Sequence, residues 1–318
     1  MHLAPGTWRQ LNLRLSQDPA AEAVVAAELG QQLRQAETAG TTAAWFFIRK
    51  QGWWRLRYQP GPGVSDDEAT TAITAPLTDL RNRGSVREWV QAIYEPEVPA
   101  FGGTDGMRIA HQLFHHDSRS ALAYQQETAA GQPDHRRELS LLLTTALLRA
   151  AGQEWTEQGD VWARVLATRP LHGPPTTRPA ALHTAVARLL AVDTSPDTPL
   201  LTSGPLARVA HWMAGFRTAG TDLGALAHTG RLTRGLRAVL AYHVLFAWNR
   251  IGLRYQDQHT LAATARGVIL DDELDQQIAD THGNCINTRL GSGYSGGGAD
   301  FDDDELVDVR FPLAEGPR

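Results

Sequence analysis

Between Ala238 and Trp248 the chain is apolar at every position except His243 and the hydroxyl of Tyr242. This run lies within Leu232–Leu253, LTRGLRAVLAYHVLFAWNRIGL. A helix at a protein surface shows one apolar stripe, whereas one apolar all round sits inside a larger fold. The run is too short to cross a bilayer. It is therefore expected to form a central buried helix, entered through Arg231, Arg234 and Arg237 and left through Asn249 and Arg250. A buried polar group without a partner costs roughly 1–3 kcal/mol in protein interiors. Tyr242 and His243 must then be either satisfied by the fold or kept for a ligand.

The rest of the composition narrows the function classes. The 318 residues suffice for one large domain or two modest ones. There is no run of 18 apolar residues and no basic-then-apolar leader, so neither a membrane span nor secretion is expected, and the location is taken as cytoplasmic. A single Cys285 excludes an internal disulfide and a Cys-cluster metal site. Lys50 is the only lysine, so the positive charge is arginine, which suits carboxylate and peptide recognition. A net charge of −5 argues against a general nucleic-acid surface. No nucleotide-binding glycine motif or metal-spaced His/Cys set is present, and neither cofactor nor metal is expected.

Read in order, Trp8–Leu15 alternates as a strand, and Asp18-Pro19 caps a helix carrying Val25, Leu29 and Leu33 on one face. Two aromatic-rich strands, Ala44–Lys50 and Trp53–Tyr58, flank a Gln51-Gly52 hairpin turn. Ser65-x-x-Glu68 is a capping box opening a helix to about Arg83, and Val86–Tyr94 is the next strand. The order βαββαβ is that of a ferredoxin-like sheet. Helices are predicted near Thr104–Thr128, from Pro133-Asp134 to Gly152, and at Glu154–Thr168, Ala180–Val192, Pro205–Arg217, Leu232–Leu253 and Asp257–Asp280. The predicted class is α+β in a single compact unit over 1–318. Its sheet subregion is 1–100, its helical subregion 101–282, and residues 283–318 form a Gly-rich and acidic loop with a terminal strand at Leu306–Phe311 returning to the sheet.

Three stretches together resemble one family. FFIRK followed by WRLRY is similar to the hairpin of the C-terminal elimination domain of lantibiotic dehydratases. Tyr94-Glu95-Pro96-Glu97, Gly102-Gly103, Phe114 and Asp117-Ser118 resemble that family's Tyr-x-Pro-Glu, Gly-Gly and Phe-x-x-Asp-Ser block, and Asn249-Arg250 resembles its Asn-Arg. The resemblance runs over roughly residues 40 to 250. Two departures matter: the family's Arg before Tyr-Gly-Gly is Ala100 here, and its His four residues before Asn-Arg is Leu245. The family associates both with glutamate elimination. Arg-to-Ala removes five donors and a fixed charge, and Leu moves no proton. The chain thus looks more like the stand-alone pyridine synthases of thiopeptide biosynthesis.

That resemblance implies a reaction and a partner. The partner is a ribosomally made, azole-containing precursor peptide that bears two dehydroalanines and its leader. The reaction is a formal [4+2] aza-cycloaddition that loses water and leader and leaves a pyridine and a macrocycle. Two further readings stay open: a lyase making dehydroalanine from glutamylated Ser, and a non-catalytic subunit that binds the precursor. Cyclisation requires the reacting groups to be held together, worth roughly 7–11 kcal/mol, and proton shuttles, each worth about 10²–10⁴-fold. Tyr242 and His243 are candidate shuttles; at 100° per residue at most one faces a pocket, and Tyr242 is favoured. Glu95 and Glu97 would share a face if the strand continued, as base or orienter, or as partners of Arg55 or Arg57. Arg55 and Arg57 share a strand face and are candidates to hold a peptide carbonyl or an acidic leader, with Arg250 and Trp248 as further substrate-binding candidates. His115-His116-Asp117 cannot converge on a metal, because adjacent helical residues diverge.

Overall fold

A computed structural model describes residues 8–50, 52–171 and 180–282, with side chains through Asp271 apart from Pro19. Gln51, Cys285, part of the Pro170–Pro179 loop, the Gly-rich and acidic stretches and the expected Leu306–Phe311 strand lie outside the described residues. The fold is α+β. Strand β1 (Arg9–Leu15), helix α1 (Pro19–Thr38), strands β2 (Thr42–Lys50) and β3 (Trp53–Pro60), helix α2 (Asp66–Asn82) and strand β4 (Val86–Ala92) come first. They form an antiparallel sheet of order β2-β3-β1-β4, the ferredoxin-like arrangement. The helices that follow are α3 (Thr104–Ala129), α4 (Arg136–Ala150), α5 (Trp155–Ala167), α6 (Ala180–Ala191), α7 (Pro199–Thr202), α8 (Ala210–His228), α9 (Leu236–Ile251) and α10 (Tyr255–His282).

Local chemistry sets the sheet region. Asp18 accepts from the Ala20 N–H at 2.9 Å and Ser65 from the Glu68 N–H at 3.2 Å, so both helices start where a side chain satisfies an orphan donor. Val25, Leu29 and Leu33 of α1 and Ile73, Leu77 and Leu80 of α2 are buried with Leu11, Leu13, Trp54 and Leu56 of the sheet. Each such side chain contributes roughly 1.5–3 kcal/mol on burial. The hydrophobic cluster continues without a break into α3, α4, α5, α8, α9 and α10.

The outer edge of β2 would present unpaired backbone groups, which is where sheets aggregate. Here side chains from the helical region cover it. Phe47 N–H donates to Ser118 Oγ at 3.1 Å, and Arg250 Nε donates to the Phe47 carbonyl at 3.0 Å. His115 Nδ1 sits 3.2 Å from Trp45 N and 2.8 Å from Trp45 O. The Asp-Ser and Asn-Arg motifs thus join the helices to the sheet.

Three expectations change. The predicted helix Pro205–Arg217 is instead a 3-10 turn at Ala207–Val209 followed by α8, which runs on to His228, with the short α7 before it. Gly220 and Gly224 lie where α8 packs on the backbone of Leu147 and Ala151, with no room for a Cβ at Gly220. Strand β4 stops at Ala92, not Tyr94. Finally, α9 is not buried all round: Ala238, Tyr242, Phe246 and Asn249 form a half-buried stripe, at the spacing of one helix face.

Candidate functional site

Alternation divides the sheet into two faces. One packs on α1 and α2. On the other, paired residues line up in rows: Phe46, Arg57, Gln10 and Ala92, then Ile48, Arg55, Asn12 and Val90. Arg57 is 2% exposed and donates through Nε to Gln10 Oε1 at 2.7 Å, while Gln10 Nε2 donates to Asn12 Oδ1 at 3.0 Å. Its guanidinium carbon lies 4.3 Å from the Tyr94 ring centre and 5.3 Å from that of Phe46. Burial works against the Arg57 charge, and Tyr94 and Glu97 favour it. Among the described residues Arg57 Nη1 and Glu97 Oε2 are buried without a hydrogen-bond partner. Both thus keep unused hydrogen-bonding capacity.

Beyond β4 the chain turns through Val98–Gly103 into α3. Gly102 and Gly103 have φ of 80° and 101°, and a Cβ on either would press on Leu232, Val239 or Thr233, whose N–H donates to Gly102 O at 2.9 Å. This turn sets α3 against the sheet, so that the Tyr94 hydroxyl lies 2.8 Å from His111 Nε2. The His111 ring lies 4.7 Å from that of Trp8. Burial, helped by the Arg57 charge, pushes His111 down to about 4, and burial pushes the Tyr94 phenol up. At neutral pH both are uncharged.

Helix α9 closes the other side. Tyr242 is half-buried, 6.1 Å from the Phe101 ring and 4.9 Å beneath the Arg234 guanidinium. His243 is 1% exposed, packed against Phe101 and Phe114, with neither ring nitrogen hydrogen-bonded among the described residues. Burial, with Arg250 nearby, pushes it down to about 3. It is a neutral ring in an aromatic cluster.

The sequence-derived candidates therefore separate. Arg57, Glu97 and Tyr242 border this region. Glu95 is exposed and, because the strand has ended, does not share the environment of Glu97. Arg55 is half-buried in the next row. Arg250 and Trp248 offer no surface to a peptide: Arg250, 1% exposed, holds Asp117 and the Phe47 carbonyl, and Trp248, 0% exposed, stacks on Trp162 at 5.6 Å. Sequence reasoning missed His111, Gln10 and Asn12. The signal available for His111 was its position one helical turn before Phe114 of the Phe-x-x-Asp-Ser block. His115 and His116 serve the backbone of Trp45 and of His211 and Trp212, and no group of three metal-ligating side chains converges among the described residues.

At the other end of the sheet, a groove of about 610 Å³ is lined by Arg14, Lys50 and Trp53 of this face and by Asp18, Glu22 and Arg87 beyond it, and reaches Asn249 and Gly252. From Trp8 to Arg14 is about 20 Å along the strand. An extended peptide can span both regions over Asn12 and Arg55. No described helix is long and apolar enough to cross a membrane.

The family model for the lantibiotic biosynthesis dehydratase C-terminal region matches residues 8–269. The tRNA-dependent lantibiotic dehydratase MibB from Microbispora sp. 107891 has a similar structure, with a TM-score of 0.64 and 21% identity over 86% of this chain and 29% of that one. The chain thus spans less than a third of MibB. TsrL matches with a TM-score of 0.57 and 17% identity over 85% of this chain and 96% of that one. TbtD, the pyridine synthase from thiomuracin biosynthesis, matches at 0.53 and 15% over 83% and 98%. At these identities the likeness is one of fold. No curated protein sequence matches the chain.

Proposed function

We propose, for a chain that belongs to the lantibiotic biosynthesis dehydratase C-terminal family, that it forms the central pyridine of a thiopeptide from two dehydroalanines of a modified precursor peptide. Water and the leader peptide are lost. The observation that carries this reading is the replacement of the eliminating pair. Ala100 packs at the edge of the aromatic cluster, and Leu245 is 5% exposed in the main core. Neither position supplies a charge or a proton, yet the neighbouring polar groups remain. That pattern fits a fold that has kept its peptide-binding face and changed its chemistry. TbtD, a pyridine synthase, shares the fold over 98% of its own length, which supports the same reading.

In this reading the row Arg57–Gln10–Asn12 holds backbone carbonyls of the core peptide. Alignment of the two dehydroalanines against the half-buried stripe of Tyr242 and Phe246 supplies the entropic part of catalysis. Tyr242 donates to the carbonyl or iminol oxygen without a change of charge, and Glu97 orients or accepts a proton. The leader lies in the groove at Arg14, Lys50 and Arg87, apart from the chemistry. The test is mass spectrometry of a bis-dehydroalanine precursor incubated with the protein. Loss of water and leader is expected. Glutamate release from a glutamylated peptide would instead make the chain an elimination lyase, and an unchanged precursor bound by the protein would make it an escort subunit.

A further inference from the structure

We infer that Tyr94 and His111 form a proton relay at this site, in which Tyr94 meets the peptide and His111 acts through it. The inference rests on the pyridine-forming reading above. Three observations carry it. The hydroxyl-to-Nε2 distance of 2.8 Å is that of a hydrogen bond ready to transfer its proton. The Arg57 guanidinium over the Tyr94 ring, at 4.3 Å, favours negative charge developing on the phenol oxygen. The buried and unpartnered Arg57 Nη1 and Glu97 Oε2 beside this pair mark where a polar substrate group is received.

The groups facing His111 come from several elements. Trp8, just before β1, and Phe46 of β2 are uncharged, and Phe114 lies one turn on along α3. The charge of Arg57 on β3 disfavours the imidazolium, and Glu97 acts on Arg57 and Tyr94. His115, the next turn of α3, is taken up by Glu37 at 3.4 Å. His111 is therefore held neutral and able to accept.

The transfer balances within the dehydration step. The cycloadduct is a ring imine; once a proton of its neighbouring ring CH2 has moved to nitrogen to give the enamine, that N–H proton passes to the Tyr94 oxygen as the Tyr94 proton passes to His111 Nε2. The electron pair left on nitrogen forms the ring C=N bond as the neighbouring C–O bond breaks. The imidazolium then returns its proton through Tyr94 to the departing oxygen, which leaves as water. Tyr94 and His111 end as they began.

The test uses the full chain and two readouts. Nitrogen-15 NMR of the His111 ring, assigned with His111→Asn, should show the Nδ1–H tautomer, titration near pH 4 and a change on Tyr94→Phe. An Nε2–H tautomer, or titration near 6.5, overturns the relay whether or not the protein cyclises anything. With the bis-dehydroalanine precursor, Tyr94→Phe and His111→Asn should each lower cyclisation 10²-fold or more with unchanged affinity for leader peptide. The acidic limb of the parent's kcat should be absent from the residual activity of His111→Asn. Variants within threefold of the parent overturn the relay. A parent that fails to cyclise overturns the pyridine reading and with it the reaction assigned to the pair, and the NMR result separates that failure from failure of the relay geometry.

Discussion

Asp117 of α3 and Arg250 of α9 form an ion pair with side chains 2% and 1% exposed, and the same guanidinium donates through Nε to the carbonyl of Phe47 on β2. Trp212 Nε1 completes the arrangement by donating to Asp117 Oδ1 at 2.8 Å. Three elements and the sheet edge meet at one charge pair. Its value lies in geometry more than in net stability, since desolvation offsets much of the attraction in such pairs.

Removing one partner is a different matter, because the other is left buried and uncompensated. Asp117→Ala should therefore cost about 3–5 kcal/mol in urea unfolding. Arg250→Leu should cost a comparable amount. Leader affinity of the protein that remains folded should be unchanged, since Arg250 reaches no surface. A loss under about 1 kcal/mol for both variants would show that the pair does not fasten α3 and α9 to the sheet.

His243 makes acid stability testable. Its folded value is pushed down to about 3, from an ordinary 6.5. Above 6.5 the folded and unfolded chains bind the same number of protons at this ring. Below 6.5 the unfolded chain binds one more, so stability falls as pH drops toward about 3, by up to about 1.4 kcal/mol per pH unit. His111, pushed down to about 4, adds to the loss in the same window. His243→Leu should flatten the dependence of Tm on pH below 6.5 without abolishing it. Because both ring nitrogens are buried without a hydrogen bond among the described residues, the substitution should not lower stability at pH 7 and should raise it by about 1 kcal/mol or more. An unaltered slope would mean that His243 is already protonated or solvated in the folded protein.

Much of the sheet was legible because its signals are local. Asp18-Pro19, Ser65 with Glu68, and Gly52 each fix the start of an element from within a few residues. The site was less legible, since periodicity tells which face of an element is apolar and not what covers it. Tyr242 and Phe246 read as part of an all-round apolar helix, yet they form its half-open stripe. Arg250 and Trp248 read as substrate contacts because their motif neighbours suggested function, whereas the fold uses both internally. His111, one turn before Phe114 of the motif block, was passed over for a related reason. Its partner Tyr94 is brought to it by the left-handed turn at Gly102 and Gly103, and no pattern within α3 encodes that contact.

Tyr242→Phe deletes one oxygen at the rim of the aromatic cluster. Because the side chain is half-buried, the substitution should leave thermal stability within about 1 kcal/mol of the parent. Cyclisation should fall by roughly 10²-fold or more if Tyr242 donates to the iminol oxygen. Leader binding should persist, since the groove lies elsewhere. Unchanged cyclisation would remove Tyr242 from the mechanism and leave Glu97 and the Tyr94–His111 pair to move protons.

The groove at the far end of the sheet face gives the last expectation. Lys50 and Arg87 are exposed cations on its wall, while Arg14 is paired with Glu88 at 3.3 Å and Arg49 with Glu22 at 2.6 Å. Among the described residues Lys50 and Arg87 have no ion-pair partner and are thus the charges available to an acidic leader segment, and Trp53 supplies apolar surface beside them. Exposed charges act through a screened field, so their contribution depends on salt. Charge reversal by Lys50→Glu with Arg87→Glu should weaken leader binding about tenfold, or about 1.4 kcal/mol, measured by fluorescence anisotropy at low salt. The difference from the parent should shrink as salt is raised toward 1 M. The urea midpoint should not move, because neither residue is part of the core. A double variant that binds leader as the parent does at low salt would place the leader on another surface, leaving the reading of the Arg57 row and Tyr242 to stand or fall by its own tests.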